Sequence, residues 1–192
     1  MKTQKIYLIR HGETEWTRSG QHTGITDLPL TLQGHNQAES VRQMLQGVQF
    51  DHIFVSPRLR AQETCQCAGY GQYAVIEPDL AEWNYGLYEG LTSKQIWQKH
   101  SDWDIFAAGA PGGESPEEIS ARVMRLRAKL QNLTGNIALF SHGHFIRAFS
   151  ATWIEQPLLF GRHLTLSTAS VSILGYEHIF PAILLWNACF YS

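Results

Sequence analysis

The spacing of apolar positions switches between two periods along the chain. Residues 5–9 form a short, nearly unbroken apolar run, the mark of a buried strand. Thr31 is placed to cap a helix over residues 32–46. His52–Val55 predicts a second strand, followed by a helix over residues 59–69. Val75–Ile76 reads as a brief extended segment ending at Pro78. Thr92 and Gln95 make a capping box that opens a helix running to about residue 100. Ser115 and Glu118 make another, with Pro116 at the first helical position. Behind it Ile119, Val123, Leu126, Leu130 and Leu133 recur at helical steps, which gives one apolar face. Residues 136–140 predict a strand and residues 145–154 a helix. Residues 171–175 and 183–185 predict two late strands, arranged as a hairpin at a sheet edge. The apolar stretch over 179–186, interrupted by Pro181, reads as a buried strand.

Alternating strands and helices predict an α/β fold. The expected form is a three-layer sandwich, with a mostly parallel central sheet and helices on both faces. The 192 residues, 44% of them hydrophobic, suffice for one core and are few for two, so residues 1–192 are expected to form a single domain.

Charge narrows the classes of partner. The formal net charge is -2 and the pI about 6.5, which is not the basic footprint of a nucleic-acid binder. An anionic ligand therefore needs a local cluster of positive groups. The lead-in Met1-Lys2-Thr3-Gln4 opens on an apolar run too short for a signal core or a membrane span. No membrane partner and a cytoplasmic location are expected. Cys65 and Cys67 lack the Cys-x-x-Cys spacing of redox or zinc motifs, and with Cys189 they read as ordinary thiols.

The unusual residues sit where strands end. One strand runs into Arg10-His11-Gly12-Glu13-Thr14, another into Ser56-Pro57-Arg58-Leu59-Arg60, and a third into Ser141-His142-Gly143-His144. Ligands of open α/β sheets bind beyond the carboxyl ends of the strands. If these strands are neighbours, histidines and arginines converge on one crevice, and Arg forks suit phosphate oxygens. Gly12 and Gly143 are expected to permit positive φ or a close ligand approach. Backbone N–H groups at the start of the helix after Gly143 are expected to add to phosphate binding. His22, His35, His52, His100 and His178 read as solvated surface residues.

Arg10-His11-Gly12 resembles the signature of the phosphoglycerate mutase-like histidine phosphatases. Ser56-Pro57-x-x-Arg60-Ala61-x-x-Thr64 is similar to that family's second phosphate-binding segment. Leu80-x-Glu82-x-x-x-Gly86-x-x-Glu89-Gly90 is similar to its proton-donor segment, and Ser141-His142-Gly143 to the segment of its second histidine. The resemblance implies a phosphoglycerate mutase-like fold and catalysis without metal or cofactor. It implies His11 as nucleophile, Glu82 as proton donor, and Arg10, Arg60 and His142 as ligands of the transferring phosphoryl group. Arg60 is preferred to Arg58 by its spacing to Ala61 and Thr64. Adjacent Arg charges would keep His11 unprotonated, and Leu80, Trp83 and Tyr85 would desolvate Glu82 and keep it protonated.

Within the family, Thr14–Gly24 and the following 26–31 segment are similar to sedoheptulose bisphosphatase-like members. Mutases commonly carry Asn at the position of Thr17, and a basic insertion between Gly90 and Ser115, where this chain has only Lys94 and Lys99. The expected substrate is a small phosphorylated metabolite, a sugar phosphate or bisphosphate. Arg10, Thr17, Gln21, Thr23, Gly24, Arg60 and Gly143 are expected to bind it. Arg18, Gln21, Thr23 and Arg162 or His163 are candidates for its non-reacting end. The alternatives are a mutase, a non-catalytic phospho-ligand module, and a metal-dependent hydrolase built on His11, His142 and His144.

Overall fold

β1 (Lys5–Arg10) divides its side chains between two apolar layers, Ile6 and Leu8 to one, Tyr7 and Ile9 to the other. That division is why the strand reads as an unbroken apolar run. The structure is a computed structural model describing residues 4–190, so the lead-in Met1-Lys2-Thr3 and residues 191–192 lie outside it. The other strands are β2 (His52–Val55), β3 (Val75–Ile76), β4 (Asn136–Ser141), β5 (Val171–Glu177) and β6 (Phe180–Ala188). The helices are α1 (Glu15–Ser19), α2 (Leu32–Met44), α3 (Leu59–Cys67), α4 (Ser93–Trp97), α5 (Ile105–Ala108), α6 (Pro116–Leu130) and α7 (Gly143–Trp153).

The sheet order is β3-β2-β4-β1-β5-β6. The first four positions are parallel; β5 runs antiparallel to β1, and β6 antiparallel to β5. Helices α2 and α3 cover one face through Val41, Ala61 and Cys65, packed on Tyr7, Ile9, Ile53, Val55 and Phe140. Helices α6 and α7 cover the other through Ile119, Val123, Leu126, Phe145 and Phe149, packed on Ile6, Leu8, Ile137 and Leu139. This is the expected three-layer α/β sandwich.

Capping sets several boundaries. Thr31, Thr92 and Ser115 each accept a bond from the backbone N–H three residues on, and the boxes at Thr92 and Ser115 close reciprocally. Helices α2, α3 and α4 stop earlier than their sequence pattern extends. Helix α7 starts earlier, because His142 is extended and serves as its N-cap. Helices α1 and α5 were not expected; at five and four residues they are too short to show a period. The stretch expected to be a buried strand is instead the edge strand β6, with Leu184 and Leu185 44% and 40% exposed. Pro181 is tolerated there because an edge strand has one side free of ladder bonds. Cys65 is buried in α3, and burial pushes its thiol up to about 12; Cys67 and Cys189 are half-buried and free. No helix among the described residues is long and apolar enough to cross a membrane.

Candidate active site

Register brings the three motif-bearing strand ends side by side. Arg10 pairs with Ser141, and Val55 with Phe140, so His11, Ser56 and His142 leave three adjacent strands at nearly one level. β4 lies between β2 and β1, which puts His142 between Ser56 and His11. Its Nε2 lies 2.6 Å from Ser56 Oγ, and its ring centroid is 5.2 Å from that of His11.

Electrostatics at these histidines are one-sided. Burial pushes His11 well below the usual imidazole value, and the Arg60 and Arg10 charges push the same way. Burial and the Arg60 charge do the same to His142. His11 Nδ1 lies 2.7 Å from the Gly12 carbonyl oxygen, which can only accept. Nδ1 therefore carries the proton, and Nε2 is left with a lone pair.

The glycines are needed for space and not for positive φ. A Cβ on Gly12 would lie 2.4 Å from the Gly34 carbonyl oxygen, so Gly12 lets the turn after β1 touch α2. A Cβ on Gly143 would lie 3.3 Å from Arg10 Cζ, so its absence makes room for the guanidinium. Neither has positive φ, contrary to one of the expectations.

Glu82 is buried as expected, but its surroundings differ from the apolar pocket anticipated. Its carboxylate accepts bonds from the main-chain N–H groups of Trp83 (2.9 Å), His144 (3.0 Å) and Phe145 (2.9 Å). The start of α7, expected to hold phosphate, is thus turned toward Glu82. The Glu82 loop is braced from α6: Arg122 donates to the carbonyls of Asp79, Ala81 and Glu82 and pairs with Glu114.

A pocket of about 220 Å³ opens beside His11. Of the expected residues, Arg10, His11, Thr17, Gln21, Thr23, Glu82 and Gly143 line it. Arg60, His142 and Gly24 stand behind this wall. Arg60 is fully buried and donates to the carbonyls of Thr23 (2.9 Å), Gly24 (3.2 Å) and Thr26 (3.0 Å), holding the loop that carries Thr23. Its Nε has no partner among the described residues. Arg58 is half-buried at the start of α3 and outside the pocket. The Thr17 hydroxyl is engaged with the main chain of Thr14, closing the cap of α1.

Other expectations fail on position. Arg18 is exposed and pairs with Glu15, and Arg162 pairs with Asp104 at 3.4 Å; with His163, both lie outside the pocket. His22 is not a solvated surface residue: it lines the pocket, its ring is 4.8 Å from Tyr85, and burial lowers it to about 4. His142 and His144 face different partners, Ser56 and Tyr85, and do not form a pair. Among the described residues no group of three or more His, Cys, Asp or Glu side chains is placed to hold a metal ion.

The model of the histidine phosphatase superfamily, branch 1, matches residues 6–189. The chain belongs to this superfamily. As a histidine phosphatase it is an enzyme with hydrolase architecture, in which His142 bonds Ser56 beside His11 and the Arg60 charge acts on both histidines. It is 39% identical over 182 residues to an acid phosphatase of Mycobacterium tuberculosis, covering 93% of this chain and 89% of that one. It is 38% identical over 183 residues to sedoheptulose 1,7-bisphosphatase of Saccharomyces cerevisiae, covering 79% and 68%. A probable phosphoglycerate mutase of Photorhabdus laumondii is 30% identical over 184 residues, covering 91% and 86%. The solved structure of an open reading frame from Mycobacterium tuberculosis superposes with TM-score 0.94 at 36% identity, covering 98% and 99%.

Six lining residues were not among those expected to bind substrate: Gly20, His22, Tyr85, His144, Arg147 and Leu166. Arg147 was legible in principle, because it follows Gly143 by four residues on α7 and so shares its helix face. Leu166 was not: it reaches the pocket through a loop whose carbonyl accepts from Arg10 Nη1 at 2.5 Å.

Proposed function

We propose that residues 1–192 act as one histidine phosphatase domain. It hydrolyses a phosphate monoester of a small metabolite, a sugar phosphate or bisphosphate, through a phosphohistidine on His11. The observation that carries this reading is the geometry of His11: buried, with Nδ1 tied to the Gly12 carbonyl so that Nε2 keeps its lone pair, beside a pocket that also holds Glu82.

In the first step His11 Nε2 attacks phosphorus, and the bond to the ester oxygen breaks. Glu82 gives that oxygen its proton, so the product leaves as an alcohol. Arg10 and Arg60, with His142, neutralise the charge on the phosphoryl oxygens; positioning and electrostatics are most of what phosphoryl transfer requires. In the second step water attacks the phosphorus of phospho-His11, the Glu82 carboxylate takes a proton from that water, and the N–P bond breaks. Free phosphate leaves, and His11 and Glu82 return to their starting states.

The 38% identity to a sedoheptulose bisphosphatase supports a sugar bisphosphate among the substrates. The mutase reading draws on the relative of that name. Against it, the pocket lining includes no lysine, and neither Lys94 nor Lys99 reaches it. The test is rapid quench of the wild type with a turned-over phosphate ester, followed by mass spectrometry. An acid-labile, base-stable phosphoryl group on His11 is expected, with loss of turnover in His11→Ala. Full activity in His11→Ala overturns the mechanism. Efficient interconversion of 3- and 2-phosphoglycerate would instead assign the mutase.

A further inference from the structure

The pocket holds cations at two places, and the second has no task in the reaction above. Arg10 stands at the strand end with His11. Arg147 lies on α7 one helical turn beyond Gly143, a rise of about 6 Å. Its Nε donates to the Gly161 carbonyl (3.0 Å) and its Nη2 to that of Arg162 (3.1 Å). Its guanidinium lies over the Phe106 ring, 4.8 Å from the centroid. These contacts hold the guanidinium in place but neutralise nothing. Among the described residues no carboxylate pairs with it, and Nη1 has no hydrogen-bond partner. The charges of Glu82 and Asp104 reach it, but Glu82 is engaged by main-chain N–H groups and Asp104 is paired with Arg162. A partly desolvated cation without a counter-ion is unfavourable until an anion arrives.

Apart from Glu82, the wall shared by the two cations is polar and uncharged. Tyr85, His22, His144 and Gln21 supply it, and Leu166 is the one aliphatic side chain of the lining. Burial lowers both imidazoles, so at neutral pH they offer hydrogen bonds and no charge. Such a wall suits hydroxyl groups, and about 220 Å³ suits a small molecule.

We propose that Arg147 binds a second anionic group at the far end of the substrate, so that the pocket selects small polyhydroxylated molecules with an anion at each end. This rests on the phosphatase reading and assigns the residue for the non-reacting end, which Arg18, Arg162 and His163 do not reach. A second phosphate and a carboxylate share the required chemistry.

Matched substrate pairs test it. Fructose 1,6-bisphosphate against fructose 1-phosphate isolates a distal phosphate. 3-Phosphoglycerate against glycerol 3-phosphate isolates a distal carboxylate. In at least one pair the doubly charged member should show kcat/KM about tenfold or more higher, expressed chiefly in KM. Arg147→Gln should collapse that ratio about tenfold, with a smaller loss on p-nitrophenyl phosphate, and Arg147→Lys should retain part of it. Equal kcat/KM within both pairs for the wild type, or equal losses on all substrates in Arg147→Gln, overturns the proposal. If Arg147→Gln does not fold, the wild-type ratios and Arg147→Lys decide. Turnover of p-nitrophenyl phosphate without a preference in either pair defeats this proposal alone. If no ester is hydrolysed, the phosphatase reading fails. Calorimetric binding of fructose 1,6-bisphosphate against fructose 1-phosphate then still decides whether Arg147 holds the second anion.

Discussion

Lowering the pH from about 7.5 to about 5.5 should destabilise this protein before its carboxylates titrate. His11 and His142 are both buried, and both are held well below the ordinary imidazole value of 6.5, first by burial and then by the Arg60 charge. In the unfolded chain they titrate near 6.5. As the pH falls through 6.5 the unfolded state takes up protons that the folded state refuses, so unfolding gains free energy. Stability is therefore full above 6.5 and declines below it, until the depressed folded values are reached. Each group costs about 1.4 kcal/mol at one unit below 6.5, so the two together cost about 3 kcal/mol. The half-buried His22 and His144 add to this with a screened weight. Against a typical domain stability of about 5–15 kcal/mol this is a large effect. Urea unfolding at both pH values, in buffers free of phosphate, measures it. His11→Asn should remove about half of the two-histidine difference, because one refused proton is gone. The same unfolding free energy at both pH values would refute the argument that these imidazoles are buried and unprotonated.

Arg60→Ala should lower kcat/KM by about 2–4 kcal/mol of transition-state stabilisation, and Arg58→Ala far less, because only Arg60 is buried behind the pocket and holds the loop over 23–26. Parallel kinetics of the two variants check this, and greater damage from Arg58→Ala would contradict the assignment. Glu82→Gln should lose far more activity on sugar phosphates than on p-nitrophenyl phosphate, whose leaving group departs without a proton. Equal losses would remove Glu82 from the proton-donor role. The same variant should also melt earlier than wild type, because its amide NH₂ would face a main-chain N–H that the carboxylate now accepts.

Local patterns made the fold readable from the chain. The apolar run of β1, the helical spacing of α6 and the capping residues Thr31, Thr92 and Ser115 are short-range signals, and each names its element without reference to the rest. The motif around His11 is local in the same way, since Arg10, His11 and Gly12 act within one turn. Buried and edge strands, however, carry similar apolar runs, and only sheet order tells them apart; residues 183–185 fit the expected edge hairpin, whereas the buried-strand reading of 179–186 does not hold. The surroundings of Glu82 were equally out of reach. Its neighbours in sequence are apolar, but the N–H groups of His144 and Phe145 come from about sixty residues away, once α7 packs against the loop. His22, Tyr85 and Arg147 became one wall only when three separate segments met. Sequence thus determined the elements and the chemistry of the strand ends. Long-range packing decided which polar groups face the pocket and which are spent on one another, because a hydrogen bond across the fold leaves no periodic trace in the chain.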